Sequence, residues 1–253
     1  AMSSPSASRC PCEAEMEPDP LPPAESMSTR PTLALFDLDN TLLDGDGDDL
    51  WCRFLVRHGL ADRALASRNE RMGEDYRRGR VGARAFSDFY AALLADRTPG
   101  YWAPWQARFL EEEIQPRLPA AARACVARHR SAGATLGLTA PRKPPVAERT
   151  AQALGFEHLL ATELEIAEGV FTGRVNGEPN MREGKLRRLR AWLFARGLDE
   201  DALATAWFYS DSINDLPLLS AVGRPVAVSP DPVLARHAAA KGWRIEHLVG
   251  RTA

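Results

Sequence analysis

The sequence predicts an α/β protein with a doubly wound, mostly parallel sheet, an inserted helical-bundle cap and a small β-hairpin. Three observations support this prediction. One apolar strand pattern is followed by acidic residues from position 37, and a second is followed by acidic residues from position 211. Strand and helix patterns alternate through the second half of the chain, and a wholly helical stretch follows the first strand.

The N-terminal residues 1–30 are expected to form a disordered tail. They combine Pro, Ser and Glu with few large apolar side chains, so burial would not offset the entropy lost on ordering. They also lack the apolar middle of a secretory signal. The first strand then runs from Thr32 to Phe36, and its continuous apolar character is typical of a strand buried on both faces. We assign 31–45 to the α/β core.

Residues 46–116 are predicted to form a separate helical cap. Apolar residues recur at spacings of three and four in four successive segments. Breaks with glycine separate these segments at Gly59, at 79–82 and at 99–100. Because the stretch begins directly after the first strand, we interpret it as an insertion into the α/β domain.

The α/β alternation resumes at about residue 117, so 117–253 is assigned to the core together with the first strand. Expected helices lie at 119–131, up to 155, 183–196, 216–222 and 232–241, and expected strands at 134–139, 159–162, 205–210 and 225–229. Two further strand-like pieces, 164–167 and 170–175, flank a Glu-Gly turn as a hairpin. In a sheet of this kind, ligands bind at the carboxyl ends of the strands.

Composition and charge narrow the function classes. The chain has 253 residues and a formal net charge of −2, which argues against a general nucleic-acid or anionic-membrane binder. No apolar stretch approaches the ~18 residues that a membrane span needs. The four cysteines form no CxxC or Cys/His cluster, so we expect no disulfide framework, no zinc site and a cytoplasmic location. Only three of the basic residues are lysines, so a lysine at a functional position is an unusual choice.

Two pairs of carboxylates follow strands of the predicted sheet. Asp37 and Asp39 are separated by one residue, so alternating strand geometry places both side chains on the same side. Asp211 and Asp215 follow a later strand of the same sheet. Like charges this close require a cation, and hard oxygen ligands suit Mg²⁺. The first pair alone would favour a helix cap or an acidic loop, and the second pair could also be a helix cap, but their agreement favours a metal site.

The segments FDLDNTL, from Phe36, and DSINDLPLL, from Asp211, resemble the first and last motifs of the haloacid dehalogenase (HAD) superfamily of phosphotransfer enzymes. The order of the pieces, with a helical cap after the first motif, is similar to the phosphoserine-phosphatase-like subfamily IB over about residues 32–248. The resemblance implies a HAD-like Rossmannoid core and a C1-type cap. It also implies Mg²⁺-dependent hydrolysis of a phosphate monoester through an aspartyl-phosphate.

The resemblance assigns roles to individual residues. Asp37 corresponds to the nucleophile, and Asp39 to the general acid/base that protonates the leaving oxygen and then activates water. Lys185 corresponds to the lysine that neutralises nucleophile and phosphate. Thr139 corresponds to a hydroxyl that donates to a phosphate oxygen, although a β-branched residue also suits a strand for structural reasons. The positions that correspond to Mg²⁺ ligands are Asp37, Asp39 through its carbonyl, Asp211 and, nearby, Asp215.

Substrate recognition is expected at the face between cap and core. The candidate substrate-binding residues are Asp46, Asp48, Arg53, Arg142 and Asn214. Asp46 lies near the position where phosphoserine phosphatases carry an acid that contacts the substrate ammonium group. A capped and solvated first helix would explain the acids and Arg53 equally well.

The segment TAPRKPP, which begins at Thr139, departs from the pattern of the subfamily. Its prolines remove backbone N–H donors that would otherwise hold phosphate, and the charge of Arg142 or Lys143 could compensate. Altered or reduced activity is therefore an open alternative.

The leading hypothesis is a cytosolic Mg²⁺-dependent phosphatase for a small phosphorylated metabolite, such as phosphoserine or histidinol phosphate. One alternative is a signalling module phosphorylated on aspartate, but receiver domains are about half this length and have no use for Asp39. The other is a weakened or non-enzymatic phosphate- and Mg²⁺-binding protein on the same scaffold. The intact set of Asp37, Asp39, Lys185, Asp211 and Asp215 argues against that alternative.

Overall fold

The computed structural model describes residues 32–142 and 146–250, so the expected tail at 1–30 lies outside the described residues. A seven-stranded sheet in the order β4-β3-β2-β1-β5-β6-β7 forms the centre. The strands are β1 Leu33–Asp37, β2 Thr135–Arg142, β3 His158–Ala167, β4 Val170–Asn176, β5 Trp207–Ser210, β6 Arg224–Val228 and β7 Arg244–Glu246. The helices are α1 Gly47–Arg57, α2 Ala64–Arg77, α3 Ala83–Ala91, α4 Pro99–Phe109, α5 Ala120–Ser131, α6 Glu148–Leu154, α7 Glu183–Phe194, α8 Leu216–Leu219 and α9 Pro232–Lys241.

The sheet is parallel throughout except for the β3–β4 pair, which confirms the predicted doubly wound fold. Strand β1 lies in the middle and is buried on both faces, as its apolar run predicts. Leu33 and Leu35 pack with α7, α8 and α9, whereas Ala34 and Phe36 belong to a cluster that includes α1, α5 and α6. The carboxyl ends of β1 and β5 therefore reach the same edge between two layers of helices.

Helices α1 to α4 follow β1 in the sequence and precede α5, where the periodicity predicts them. Their aromatic side chains pack together, with the Trp51 ring 5.0 Å from Phe109 and 5.4 Å from Phe54 between centroids. The same hydrophobic cluster continues into the sheet through Phe36. Helix α3 also contacts β4, because the Asp88 carboxylate accepts a hydrogen bond from the backbone N–H of Val175. The division into core and cap at residues 46 and 116 stays a prediction.

The structure differs from the expected elements at three places. Strand β3 is continuous, whereas the sequence predicts separate pieces at 159–162 and 164–167. Its first half pairs in parallel with β2 and its second half pairs antiparallel with β4. Glu163, the residue between the two predicted pieces, is exposed but continues the strand by pairing with Asn176 of β4. Strand β2 extends to Arg142 with a bulge, and the three-residue edge strand β7 was not predicted.

Every helix in the described part of the chain is too short or too polar to cross a membrane.

Candidate active site

A cavity of about 420 Å³ lies at the carboxyl ends of β1 and β5. Its floor holds carboxylates of the two predicted pairs, and its walls come from α1, α2, α3 and the segment that leads into α7. The residues that line it are Asp37, Asp39, Asn40, Asp46, Asp48, Asp49, Asn69, Glu70, Gly73, Tyr76, Arg77, Phe86, Tyr90, Pro141, Met181, Arg182, Lys185, Asp211, Ser212, Asn214 and Asp215. The structure therefore brings both acidic pairs and the predicted lysine to one cavity.

A buried lysine bridges the two acidic pairs. Lys185, in the first turn of α7, donates from Nζ to Asp37 Oδ1 at 2.6 Å and to Asp215 Oδ2 at 2.7 Å. The exposed fractions of Lys185, Asp37 and Asp215 are 6%, 5% and 3%. Burial acts to lower the pKa of Lys185, but the two carboxylates outweigh it and raise that pKa, so the ammonium group stays charged.

The negative charge of the site exceeds what Lys185 neutralises. Burial raises the pKa of Asp37 to about 6, against the opposing effect of Lys185. Burial also raises the pKa of Asp211 well above its usual value, and the nearby Asp37 and Asp215 carboxylates add to this effect. Three carboxylates thus face one ammonium group. A further cation would stabilise their ionised forms.

The carboxylate oxygens of the site fit a Mg²⁺ ion that takes only some of its ligands from the protein. Among residues 32–142 and 146–250, no three His, Cys, Asp or Glu side chains already form a cluster able to hold a metal ion. Mg²⁺, however, usually binds one or two carboxylates and completes its shell with water and phosphate oxygens. Asp37 and Asp211 offer such hard oxygen ligands, while Asp215 is already occupied by Lys185 and by the Ser210 hydroxyl.

Asp39 lies in a buried environment that favours the protonated form of its carboxyl group. Its Oδ1 accepts a hydrogen bond from the Gly47 backbone N–H at 2.8 Å. A Cβ at Gly47 would lie 2.9 Å from that oxygen, so this close approach requires glycine. Burial, together with the neighbouring charges of Asp46 and Asp37, raises the pKa of Asp39 to about 8. A carboxyl group with this pKa can give its proton to a leaving oxygen and take one back.

Thr139 lies beside Asp37 on the adjacent strand but is buried and is not among the cavity-lining residues. Its Oγ1 accepts a hydrogen bond from Asn180 Nδ2 at 2.9 Å. The same amide group also donates to the carbonyl oxygens of Ala140 and Leu160 at 2.8 Å. The Thr139 hydroxyl therefore has its own proton available for another acceptor. Sequence reasoning did not identify Asn180, because a single polar residue in a loop carries no pattern.

The predicted substrate-binding acids line the cavity but already have partners. Asp46 caps α1 by accepting from the backbone N–H groups of Asp48 and Asp49, which is the capping role that the sequence left open. Asp48 forms an ion pair with Arg142. Arg142 is buried with its Cζ 4.4 Å from the Tyr90 ring centroid, and burial lowers its pKa to about 10. Its charge is therefore directed to Asp48 and Tyr90, and Arg142 does not line the cavity.

Of the two remaining candidate substrate-binding residues, one lines the cavity and the other is exposed to solvent. Asn214 lines the cavity, and its backbone N–H donates to Ser212 Oγ at 3.2 Å. Arg53 points to solvent, with its side chain 71% exposed and paired with Asp49 at 2.8 Å. The structure thus does not bring Arg53 to the site. The rest of the unusual proline segment, Lys143 to Pro145, lies outside the described residues.

Fold and site together define an α/β enzyme whose chemistry is centred on aspartates and one lysine at the carboxyl edge of its sheet. Residues 34–220 match the family described as haloacid dehalogenase-like hydrolase. The chain belongs to this family.

Three relatives illustrate the similarity. The chain is 37% identical to a histidinol-phosphatase of Neisseria meningitidis, over 84% of this chain and 97% of that protein. It is 30% identical to a phosphoserine phosphatase of Mycobacterium tuberculosis, over 84% and 69% of the two chains. A crystal structure of a Bordetella pertussis protein of unknown function superimposes with a TM-score of 0.82, with 41% identity over 86% and 99% of the two chains. The predictions of the family and of a phosphatase are confirmed.

Proposed function

We propose that the protein is a Mg²⁺-dependent phosphomonoester hydrolase that acts on a small phosphorylated metabolite through an aspartyl-phosphate. Phosphoserine and histidinol phosphate are the candidate substrates, since relatives carry those activities in their names. The observation that carries the proposal is the buried Lys185 bridge between Asp37 and Asp215 at the floor of the cavity. Such a cation holds an ionised nucleophile and a negatively charged phosphate next to each other.

In the first half of the proposed reaction, the Asp37 carboxylate attacks phosphorus and the bond to the leaving oxygen breaks. Asp39 gives its proton to that oxygen, so the product leaves as a neutral alcohol. In the second half, the Asp39 carboxylate takes a proton from a water molecule that attacks the phosphoryl group. This step releases inorganic phosphate and regenerates Asp37.

Other groups of the site have supporting roles in the proposal. Lys185 neutralises the nucleophile, and the Thr139 hydroxyl donates to a phosphate oxygen. When bound by Asp37, the Asp39 carbonyl and Asp211, with Asp215 nearby, Mg²⁺ would offset the charge of the phosphoryl group. Helices α1 to α4 act as a cap over a core formed by 31–45 and 117–253. We also propose a cytoplasmic location. The free thiols of Cys52 and Cys125, both buried, support it, because cysteines stay reduced in that compartment.

The proposal is tested by phosphate release from p-nitrophenyl phosphate, phosphoserine and histidinol phosphate with added Mg²⁺. We expect turnover of at least one ester and a loss of about a thousandfold or more in Asp37→Asn, which removes the nucleophile. Asp201→Asn makes the same chemical change at an exposed position outside the cavity and should retain full activity. Undiminished turnover in Asp37→Asn would contradict the mechanism. A stable phospho-aspartate without turnover would favour the signalling module.

A further inference from the structure

Two polar side chains that line the cavity have buried donors without hydrogen-bond partners. Neither the Tyr76 hydroxyl nor the Arg182 Nε makes a hydrogen bond of normal geometry among the described residues, although Arg182 is close enough to that hydroxyl to oppose the rise that burial causes in the Tyr76 pKa. The two side chains are neighbours, since Arg182 Cζ lies 4.8 Å from the Tyr76 ring centroid. Leaving a buried donor unpaired is unfavourable, because the donor has lost its hydrogen bonds to water. An acceptor from a bound ligand would remove that cost.

The backbone at Arg182 adds a second observation. Its φ of 50° and ψ of −125° lie in a region that favours glycine, and a non-glycine residue there is strained. The residue directly precedes α7, but its side chain makes no capping hydrogen bond to that helix. Local structure therefore gives no reason for a long charged side chain at this position.

Among the described residues, Arg182 and Arg77 are the arginines that line this largely acidic cavity. The same lining carries the carboxylates of Asp46, Asp48, Asp49 and Glu70. Lys185 is already held by two carboxylates, as described above. Within residues 32–142 and 146–250, Arg182 forms no ion pair, so its guanidinium group keeps a charge that the protein does not neutralise there.

We propose that Arg182 and Tyr76 form a subsite that binds an oxyanion of the substrate. The inference rests on the proposed phosphatase function and deepens it. Such a ligand presents a negatively charged oxygen that accepts hydrogen bonds from the Arg182 guanidinium group and the Tyr76 hydroxyl. This oxygen belongs either to the carboxylate of an amino-acid phosphate or to the phosphoryl group that is transferred.

The test measures steady-state hydrolysis and inhibition for the whole chain and three variants. Arg182→Gln removes the charge, Tyr76→Phe removes only the hydroxyl, and Arg182→Gly also relieves the strained backbone. The probes are p-nitrophenyl phosphate as reporter, with phosphoserine, phosphoethanolamine and inorganic phosphate as competitors. A hydrogen bond to a charged group corresponds to about tenfold or more in affinity, so we expect tenfold weaker binding of an oxyanion in Arg182→Gln.

The pattern across the probes identifies the oxyanion. If phosphoserine alone binds more weakly, the subsite holds the carboxylate, because phosphoethanolamine lacks that group. If all probes weaken together, including inorganic phosphate, it holds the phosphoryl group. Tyr76→Phe should weaken the same probes. Arg182→Gly should do so while its unfolding temperature stays equal to or above that of the wild type, because glycine relieves the strain.

A matched control separates ligand binding from loss of packing. Arg196 also stacks on an aromatic ring, with its Cζ 4.1 Å from the Trp192 centroid, but it lies outside the cavity. Arg196→Gln should leave every constant unchanged. Constants within twofold of wild type in an active Arg182→Gln enzyme would overturn the inference. Absence of phosphate release by the wild type from every ester would instead overturn the proposed function.

Discussion

Replacement of Lys185 by Met should destabilise the protein and make its stability depend on pH in a defined direction. The change removes the ammonium group that bonds Asp37 and Asp215, and both carboxylates stay buried. Removing one partner of a buried ion pair typically costs about 3–5 kcal/mol. For a chain of this size, that free energy corresponds to a fall of roughly 6–20 °C in the unfolding temperature.

The loss should be smaller at low pH. Burial already raises the pKa of Asp37 to about 6 with Lys185 present. Without the opposing ammonium charge, this pKa rises further above its unfolded value. The folded variant then binds more protons than the unfolded chain, so its stability falls as pH rises. At low pH the carboxylates take up protons and the missing cation matters less.

Urea unfolding at about pH 5.5 and about pH 8 measures the difference between variant and wild type. Chelator in both buffers keeps divalent cations from substituting for the lysine. The matched control is Lys241→Met, at the exposed end of α9, which should change stability by less than about 0.5 kcal/mol at either pH. A deficit for Lys185→Met below about 1 kcal/mol, or one that is larger at the lower pH, would refute the reasoning.

Two further predictions follow from buried polar groups. Burial lowers the pKa of His129 to about 4, below its unfolded value, so the wild type should lose up to about 3 kcal/mol as pH falls from 6.5 towards 4. Urea titrations should show a flatter pH dependence in His129→Gln, and an unchanged slope would count against this assignment. Asn180→Ala removes the donor to Thr139 and should lower kcat by about tenfold. If Asn180 acts through that hydroxyl, combining it with Thr139→Val should add little further loss, whereas losses that multiply would indicate separate roles.

The strand ends and their acids could be predicted because their signals are local and repeated. The apolar run up to Phe36 and the acidic residues after it specify a buried strand that ends at a sheet edge. A second strand that ends in the same way at Ser210 must deliver its acids to the same edge when the strands are parallel. The positions of Asp37 and Asp211 thus follow from the pattern. The bridge from Asp37 to Asp215 through Lys185 required the resemblance as well, since α7 lies far from both aspartates' strands in the sequence.

Other parts of the site could not be predicted because they depend on tertiary contacts. The sequence singled out Arg142 because its charge could compensate for the phosphate-binding backbone donors that the neighbouring prolines remove. In the structure, the bulge in β2 and the nearby Tyr90 ring bury that guanidinium against Asp48. The acid expected to contact the substrate, Asp46, uses its carboxylate to cap α1. In both cases the charged side chain already has a structural partner within the protein.

The six residues 180–185 instead supply three groups to the site from one tight turn. Asn180 bonds Thr139, Arg182 faces Tyr76 and Lys185 bridges the acids. The turn is closely packed, because a Cβ at position 184 would lie 2.1 Å from the carbonyl oxygen of the residue at 179. No residue type in this segment indicates the positive φ at position 182, so this backbone geometry could not be predicted from the sequence. Since all three groups share this one backbone path, a change in its length would displace them together, while substitutions at the individual side chains can separate their effects.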